Sequence, residues 1–276
     1  QGSDNTACGK HSLANTTTGS YNTACGTVAL HTNTTGQKNT AVGWYSSHLN
    51  TDGNYNVAVG YHALKQNQSS DYNVAIGYEA LYNNTGVGAN VAVGTNAMRA
   101  NTTGQSNVAV GYNALDANTT AHNNTAVGQD ALGANQGGGD NTAVGHSALK
   151  SNVSGTANVA VGNTALQDNT GSSNTAVGHA ALGNNTSGSQ NVAIGRGALA
   201  TQTTQNNNIG IGYNALTNNT GGSNVAIGIS AGQNHTTGNN NTYLGSTAGL
   251  STTNKNGNTF LGDSAGKNVN SHSIIC

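Results

Sequence analysis

Polar and apolar residues in this chain follow one short unit that recurs from end to end. The pentapeptide Asn-(Thr/Val)-Ala-(Val/Ile)-Gly is its clearest part, with Gly at 9, 26, 43, 60, 77, 94, 111, 128, 145, 162, 178, 195, 212, 228, 245 and 262. Thirteen of these spacings are 17 residues and two are 16, which makes sixteen copies. One copy runs from Asn107 to Asn123, and its positions are numbered here as slots 1 to 17. Both shortened copies lose their residue near an Asn-Thr-Gly tip, at Asn169-Thr170-Gly171 and Asn219-Thr220-Gly221. A deletion confined to that place marks the tip as a surface turn.

Slots 2 to 4 are short, apolar and β-branched, and Gly in slot 5 ends them, which predicts a strand. Gly, Asn and Thr recur too often for any helix to run three turns. Seventeen residues are too few for a helical-repeat unit or a propeller blade. The period therefore predicts an all-β fold, a single-stack parallel β-solenoid (β-roll) of sixteen coils over residues 1–276, with variant, terminal-type coils at 241–276. At ~4.8 Å per coil the stack is roughly 77 Å long.

Slot 4 is apolar in all sixteen copies and slot 2 is Thr, Val or Ile. Alternation puts the two on one face of the strand. The expectation is that this face points inward, against a slot 9 that is Leu in eleven copies. The opposite face then carries the small residues of slots 3 and 5, Ala58, Gly60, Ala75, Gly77, Ala92, Gly94, Ala109, Gly111, Ala126 and Gly128, with the Ala of slot 8. Such a bare stripe, on the order of 770 Å², approaches one partner's share of a standard interface. It is read as a self-association surface; the bland alternative is a poorly decorated solvent face. Slot 1 is Asn throughout, as at Asn56, Asn73, Asn90, Asn107 and Asn124. Stacked amides can satisfy turn backbone and hold the coils in register. The rival reading is a ligand-binding array.

Composition narrows function by exclusion. Eight Lys and Arg oppose nine Asp and Glu for a net charge of -1, leaving no basic surface for nucleic acid or anionic lipid. No apolar stretch is long enough for membrane insertion as a helix. The few carboxylates are scattered, no phosphate loop has its strand–helix context, and two adjacent His (His31 and His48 in slot 10) do not make a zinc site, so neither an enzyme nor a cofactor is expected. Cys8 and Cys25 both occupy slot 4, close enough for a disulfide, with two buried thiols as the alternative. Cys276 has no partner in its own coil and is left to an interchain bond or a free end. Gln1 in place of Met fits removal of a secretory segment, or a trimmed chain. Asn15, Asn33, Asn101, Asn118 and Asn234 begin N-x-Ser/Thr sequons. Aromatic residues in slot 6, including Trp44, Tyr61, Tyr78 and Tyr112, suggest either a sugar-stacking ridge or ordinary surface decoration.

The units Asn56-Val57-Ala58-Val59-Gly60 and Ala63-Leu64 resemble the β-roll coils of YadA-type trimeric autotransporter heads and the solenoid shafts of phage tail-fibre-like proteins. The late copies Asn241-Thr242-Tyr243-Leu244-Gly245 and Asn258-Thr259-Phe260-Leu261-Gly262 look like the variant coils near the end of such shafts. The resemblance implies an extracellular, fibrous, usually trimeric surface protein used for adhesion or reach. The leading expectation is a secreted structural protein whose partner is itself, as a trimer or a filament. An adhesin or fibre shaft that binds glycans or a host surface is the alternative. A Thr column in slot 13 brings in ice binding as a third, weaker reading.

Overall fold

A computed structural model describes residues 2–86 and 88–269. Cys276 lies outside them. The protein is an all-β parallel solenoid with one three-residue strand per coil, and no α-helix occurs among the described residues. The chain divides into two compact units, Gln1–Asp140 and Asn141–Cys276. The first holds β1 (Thr6–Cys8), β2 (Thr23–Cys25), β3 (Thr40–Val42), β4 (Val57–Val59), β5 (Val74–Ile76), β6 (Val91–Val93), β7 (Val108–Val110) and β8 (Thr125–Val127). The second holds β9 (Thr142–Val144), β10 (Val159–Val161), β11 (Thr175–Val177), β12 (Val192–Ile194), β13 (Ile209–Ile211), β14 (Val225–Ile227), β15 (Thr242–Leu244) and β16 (Thr259–Leu261). Within each unit every strand pairs in parallel with the next one along the chain. The register is that of the repeat: Val91, Ala92 and Val93 face Val108, Ala109 and Val110.

Backbone bonds run along the stack outside the strands too, as from Leu115 N to Ala131 O at 3.0 Å and from Asn113 N to Thr95 O at 3.1 Å. A single coil therefore satisfies few of its own polar groups, and its neighbours complete it. Slot 5 needs Gly for two reasons. Gly111 has φ 139°, and a Cβ built on it would stand 2.5 Å from Gly128 O in the next coil. Slots 7, 9 and 17 also take positive φ, mostly without Gly, as at Asn113 (52°), Leu115 (54°) and Asn123 (60°). A left-handed Leu costs about 1–2 kcal/mol, and burying its side chain contributes about 1.5–3 kcal/mol. The bend that turns Leu into the core is thus offset by the core it fills.

The direction of the strand faces corrects the expectation. Slot 3 points inward: Ala58, Ala75, Ala92, Ala109 and Ala126 are all 0% exposed, as are the slot-8 Ala and the slot-9 Leu or Met of the same coils. Slots 2 and 4 point outward. The reason is the width of the coil. At Gly210, where slot 3 lacks a side chain, a built Cβ already lies 3.1 Å from Leu199 Cγ. The opposing wall leaves room for a methyl group and nothing larger.

The exceptions in β15 and β16 obey the same rule. Tyr243 and Phe260 occupy slot 3 and are fully buried, and slot 9 is Gly at 232, 249 and 266. Built Cβ atoms on Gly232 and Gly249 would stand 2.7 and 2.5 Å from the Tyr243 ring. The aromatic ring has taken the volume of the Leu. Its hydroxyl replaces part of the Asn column: Tyr243 Oη lies 3.2 Å from His235 Nδ1 and 2.9 Å from Thr252 Oγ1. His235 Nε2 lies 2.9 Å from Gly238 O, and Nδ1 faces both the phenol and Thr252 O at 3.2 Å; a neutral ring with Nε2–H donating to Gly238 O leaves Nδ1 to accept from the phenol.

Burial keeps both groups uncharged. It lowers His235 below its ordinary 6.5 and pushes Tyr243 up from 10 to about 12. In acid the unfolded chain protonates His235 first, so stability falls as the pH drops through 6.5 and levels off at the lower folded value. In base the unfolded chain ionises Tyr243 first, so stability falls from pH 10 to about 12. Melting followed by circular dichroism should therefore show an acid limb that His235→Asn reduces, the rest coming from the likewise lowered His48 and His62, and an alkaline limb that it leaves in place. An acid limb unchanged in the variant would show that His235 does not set it.

Candidate functional site

The inward turn of slot 3 leaves the β-branched columns of slots 2 and 4 on the surface. Ile76 and Ile194 are 39% exposed and Leu244 42%, and the pattern repeats in β3 to β14 as half-buried or exposed Val, Ile and Thr around a buried centre. Solvent-facing strands of soluble proteins commonly carry polar side chains at such places. Here, in each unit, an apolar column of slot 4 runs beside a mixed Thr/Val column of slot 2. Eight coils give a strip of ~38 Å by ~10 Å, or on the order of 380 Å² per unit. A strip of that size with one wholly apolar column is in the range that marks interaction surfaces.

The residues first assigned to self-association do not line this strip. Ala58, Ala75, Ala92, Ala109 and Ala126 are core, because the interior accepts only a methyl group there. Gly60, Gly77, Gly94, Gly111 and Gly128 remain half-buried at the end of each strand, where backbone approaches backbone. Cys8 and Cys25 belong to the outer strip. They are register partners across β1 and β2, unbonded and exposed, so they are neither a disulfide nor a pair of buried thiols. Contact with Cys8 raises the Cys25 thiol above its ordinary value, first through a hydrogen bond and then through charge repulsion.

The Asn residues are used inside the fold. Asn107 N donates to Asn90 Oδ1 at 3.0 Å, and Asn107 Nδ2 donates to Ala121 O at 2.9 Å. Asn124 N donates in turn to Asn107 Oδ1 at 2.9 Å. The same pattern joins Asn56, Asn73 and Asn90. A second column in slot 12 meets the same slot-15 carbonyls, with Asn118 Nδ2 bonded to Asn101 Oδ1 and to Ala121 O. Asn33, Asn101 and Asn118 are fully buried in it, so those three sequons are closed to a glycosyltransferase, whereas Asn15 and Asn234 are exposed. Slot-13 hydroxyls are engaged as well: Thr34 and Thr102 Oγ1 donate to the Thr51 and Thr119 carbonyls of the next coil at 2.9 Å.

The aromatic column of slot 6 packs against itself. Tyr61 and Tyr78 lie 5.1 Å apart and 2° from parallel, and Trp44 lies 4.9 Å from Tyr61. Tyr61 is therefore covered on both faces and presents its edge and hydroxyl to solvent, while Tyr78 keeps one face free of ring contact among the described residues. His31 and His48 stack at 5.5 Å, and burial lowers His48 further toward its neutral form. Among the described residues no three His, Cys, Asp or Glu side chains are grouped to hold a metal ion.

No family model matches the chain. No curated protein matches it either. The outward strip was missed in the sequence because a strand that alternates large and small apolar residues does not say which set faces the core.

Proposed function

We propose that this chain is a non-enzymatic, extracellular structural protein that assembles with copies of itself through the outward slot-2 and slot-4 strip. The observation behind the reading is the exposure of Val, Ile and Leu in slot 4 of successive coils. A second copy is the fitting occupant, because it presents the same apolar column at the same ~4.8 Å period. Burying a strip of on the order of 380 Å² contributes ~10 kcal/mol, against an association cost of about 4–15 kcal/mol. Contact along a few coils is marginal, and contact along many is stable. The likeness to trimeric heads and fibre shafts agrees with this reading, with reach and display as its use.

Sedimentation velocity tests it. The 27.5 kDa chain should sediment as a multimer or as filaments at micromolar concentration. A single species of monomer mass across the concentration range would overturn the reading. Ice binding loses support, because the slot-13 hydroxyl hydrogens are spent on the neighbouring coil.

A further inference from the structure

The coil tips carry two adjacent side-chain columns, slots 16 and 17. In slot 17 Tyr55 and Tyr72 stack at 5.0 Å, 9° from parallel, and Lys38 Nζ covers the other side of Tyr55 at 4.8 Å. The next coil has Ala89 in slot 17 and Gly88 in slot 16, so both columns are interrupted at the same level. A hollow of about 490 Å³ opens there, bordered by Asp71, Tyr72, Thr85, Gln105 and Ser106. Tyr72 is 60% exposed. With one face on Tyr55, its other face borders the gap. In the slot-6 column Tyr61 is covered on both sides, by Trp44 and Tyr78.

The gap has the thickness of one ring. Two coil steps separate Tyr72 from Ser106, ~9.6 Å, and a stacked ring occupies the level that Ala89 leaves empty. The walls supply polar groups. Asp71 Oδ1 accepts from Asn54 N at 2.6 Å and Asn54 Nδ2 at 3.2 Å. A carboxylate has about four acceptor sites, so Asp71 retains acceptor capacity for hydroxyl donors. The side chains of Gln105 and Ser106 offer both donors and acceptors, and Thr85 Oγ1, which donates to Thr102 O at 3.5 Å, offers an acceptor. An aromatic floor with a few hydrogen-bonding groups, in a volume within the usual ~300–1,000 Å³, is the composition of a small-ligand site.

We propose that this hollow is a subsite for a neutral hexopyranose, with the C–H face of the sugar on Tyr72 and its hydroxyls bonded to Asp71 and Gln105. The Asp71 carboxylate, with no Lys or Arg among the described lining residues, excludes sialic and uronic acids. Any assembly through the strand strip is separate from it, since the tip and the strip lie at different slots.

Saturation-transfer NMR on the whole chain tests the site with methyl β-galactopyranoside and methyl β-glucopyranoside, and with methyl β-glucuronide as the charged control. One neutral glycoside should bind with Kd of roughly 1–10 mM, and both Tyr72→Ala and Ala89→Tyr should weaken it at least about ten-fold. Ala89→Tyr continues the aromatic stack through the gap, and circular dichroism checks that it folds; if it does not, Tyr72→Ala decides. Tyr112→Ala, outside the hollow, should leave binding unchanged. The proposal is overturned if neither neutral glycoside shows transfer, if the glucuronide binds as well, or if a folded Tyr72→Ala binds like the original chain.

Discussion

Ala109→Glu should unfold its surroundings, whereas Glu at Val59, Val93 and Val127 together should leave the fold intact and separate the assembly into monomers. Ala109 is 0% exposed and faces the slot-8 and slot-9 wall, so a carboxylate there meets neither water nor a cation. Burying an unpaired charge or forcing bulk into a closed core places such a change in the rare class of about 4–5 kcal/mol or more. The three Val side chains point outward, two coils apart. At ~9.6 Å the introduced charges sit about one Debye length from one another, so the monomer tolerates them. A second copy would have to desolvate all three. Circular dichroism and sedimentation velocity read the two effects separately. A folded but monomeric Ala109→Glu would place the interface on the small-residue face after all. A triple Glu variant that still assembles would exclude the outer strip.

Tyr243→Ala should destabilise the second unit by about 3–5 kcal/mol, the usual cost of emptying a large buried aromatic site. Adding Gly232→Leu and Gly249→Leu should recover most of that loss, because the result is the Ala-and-Leu coil found elsewhere in the chain. The backbone is already suited to Leu. Gly232 and Gly249 have φ 57° and 62°, and Leu199 and Leu216 have 52° and 50°. Gly249→Leu alone should be harmful, since its Cβ would meet the Tyr243 ring at 2.5 Å. The melting midpoints of the original chain, Tyr243→Ala, the paired Gly232→Leu and Gly249→Leu change, and the triple variant form a thermodynamic cycle, and its coupling should have the opposite sign to the single effects. Additive losses would mean that Tyr243 and the two Gly do not share one volume.

Much of the candidate site was legible in slots but not in orientation. The Asn columns were readable because their position in the cycle is fixed, and a side chain meeting its own copy every ~4.8 Å has few other uses. The hollow at Tyr72 was not readable. It depends on Gly88 and Ala89 coinciding beside an aromatic pair whose members lie two residues before β4 and β5, a neighbourhood visible once the tips are stacked. The left-handed Leu of slot 9 was equally hidden, because nothing about Leu announces positive φ.

By itself the sequence determined the period, the parallel in-register stacking, the strand at slots 2 to 4 and the Gly at its end. Each of these follows from spacing, and spacing survives folding. Only the tertiary structure decided that Ala faces in and Val faces out. Alternation divides a strand into two faces without ranking them. The ranking came from the opposite wall, where left-handed turns bring Leu and Ala so near the strand that a methyl group completes the core. The larger side chains had nowhere to go but the surface.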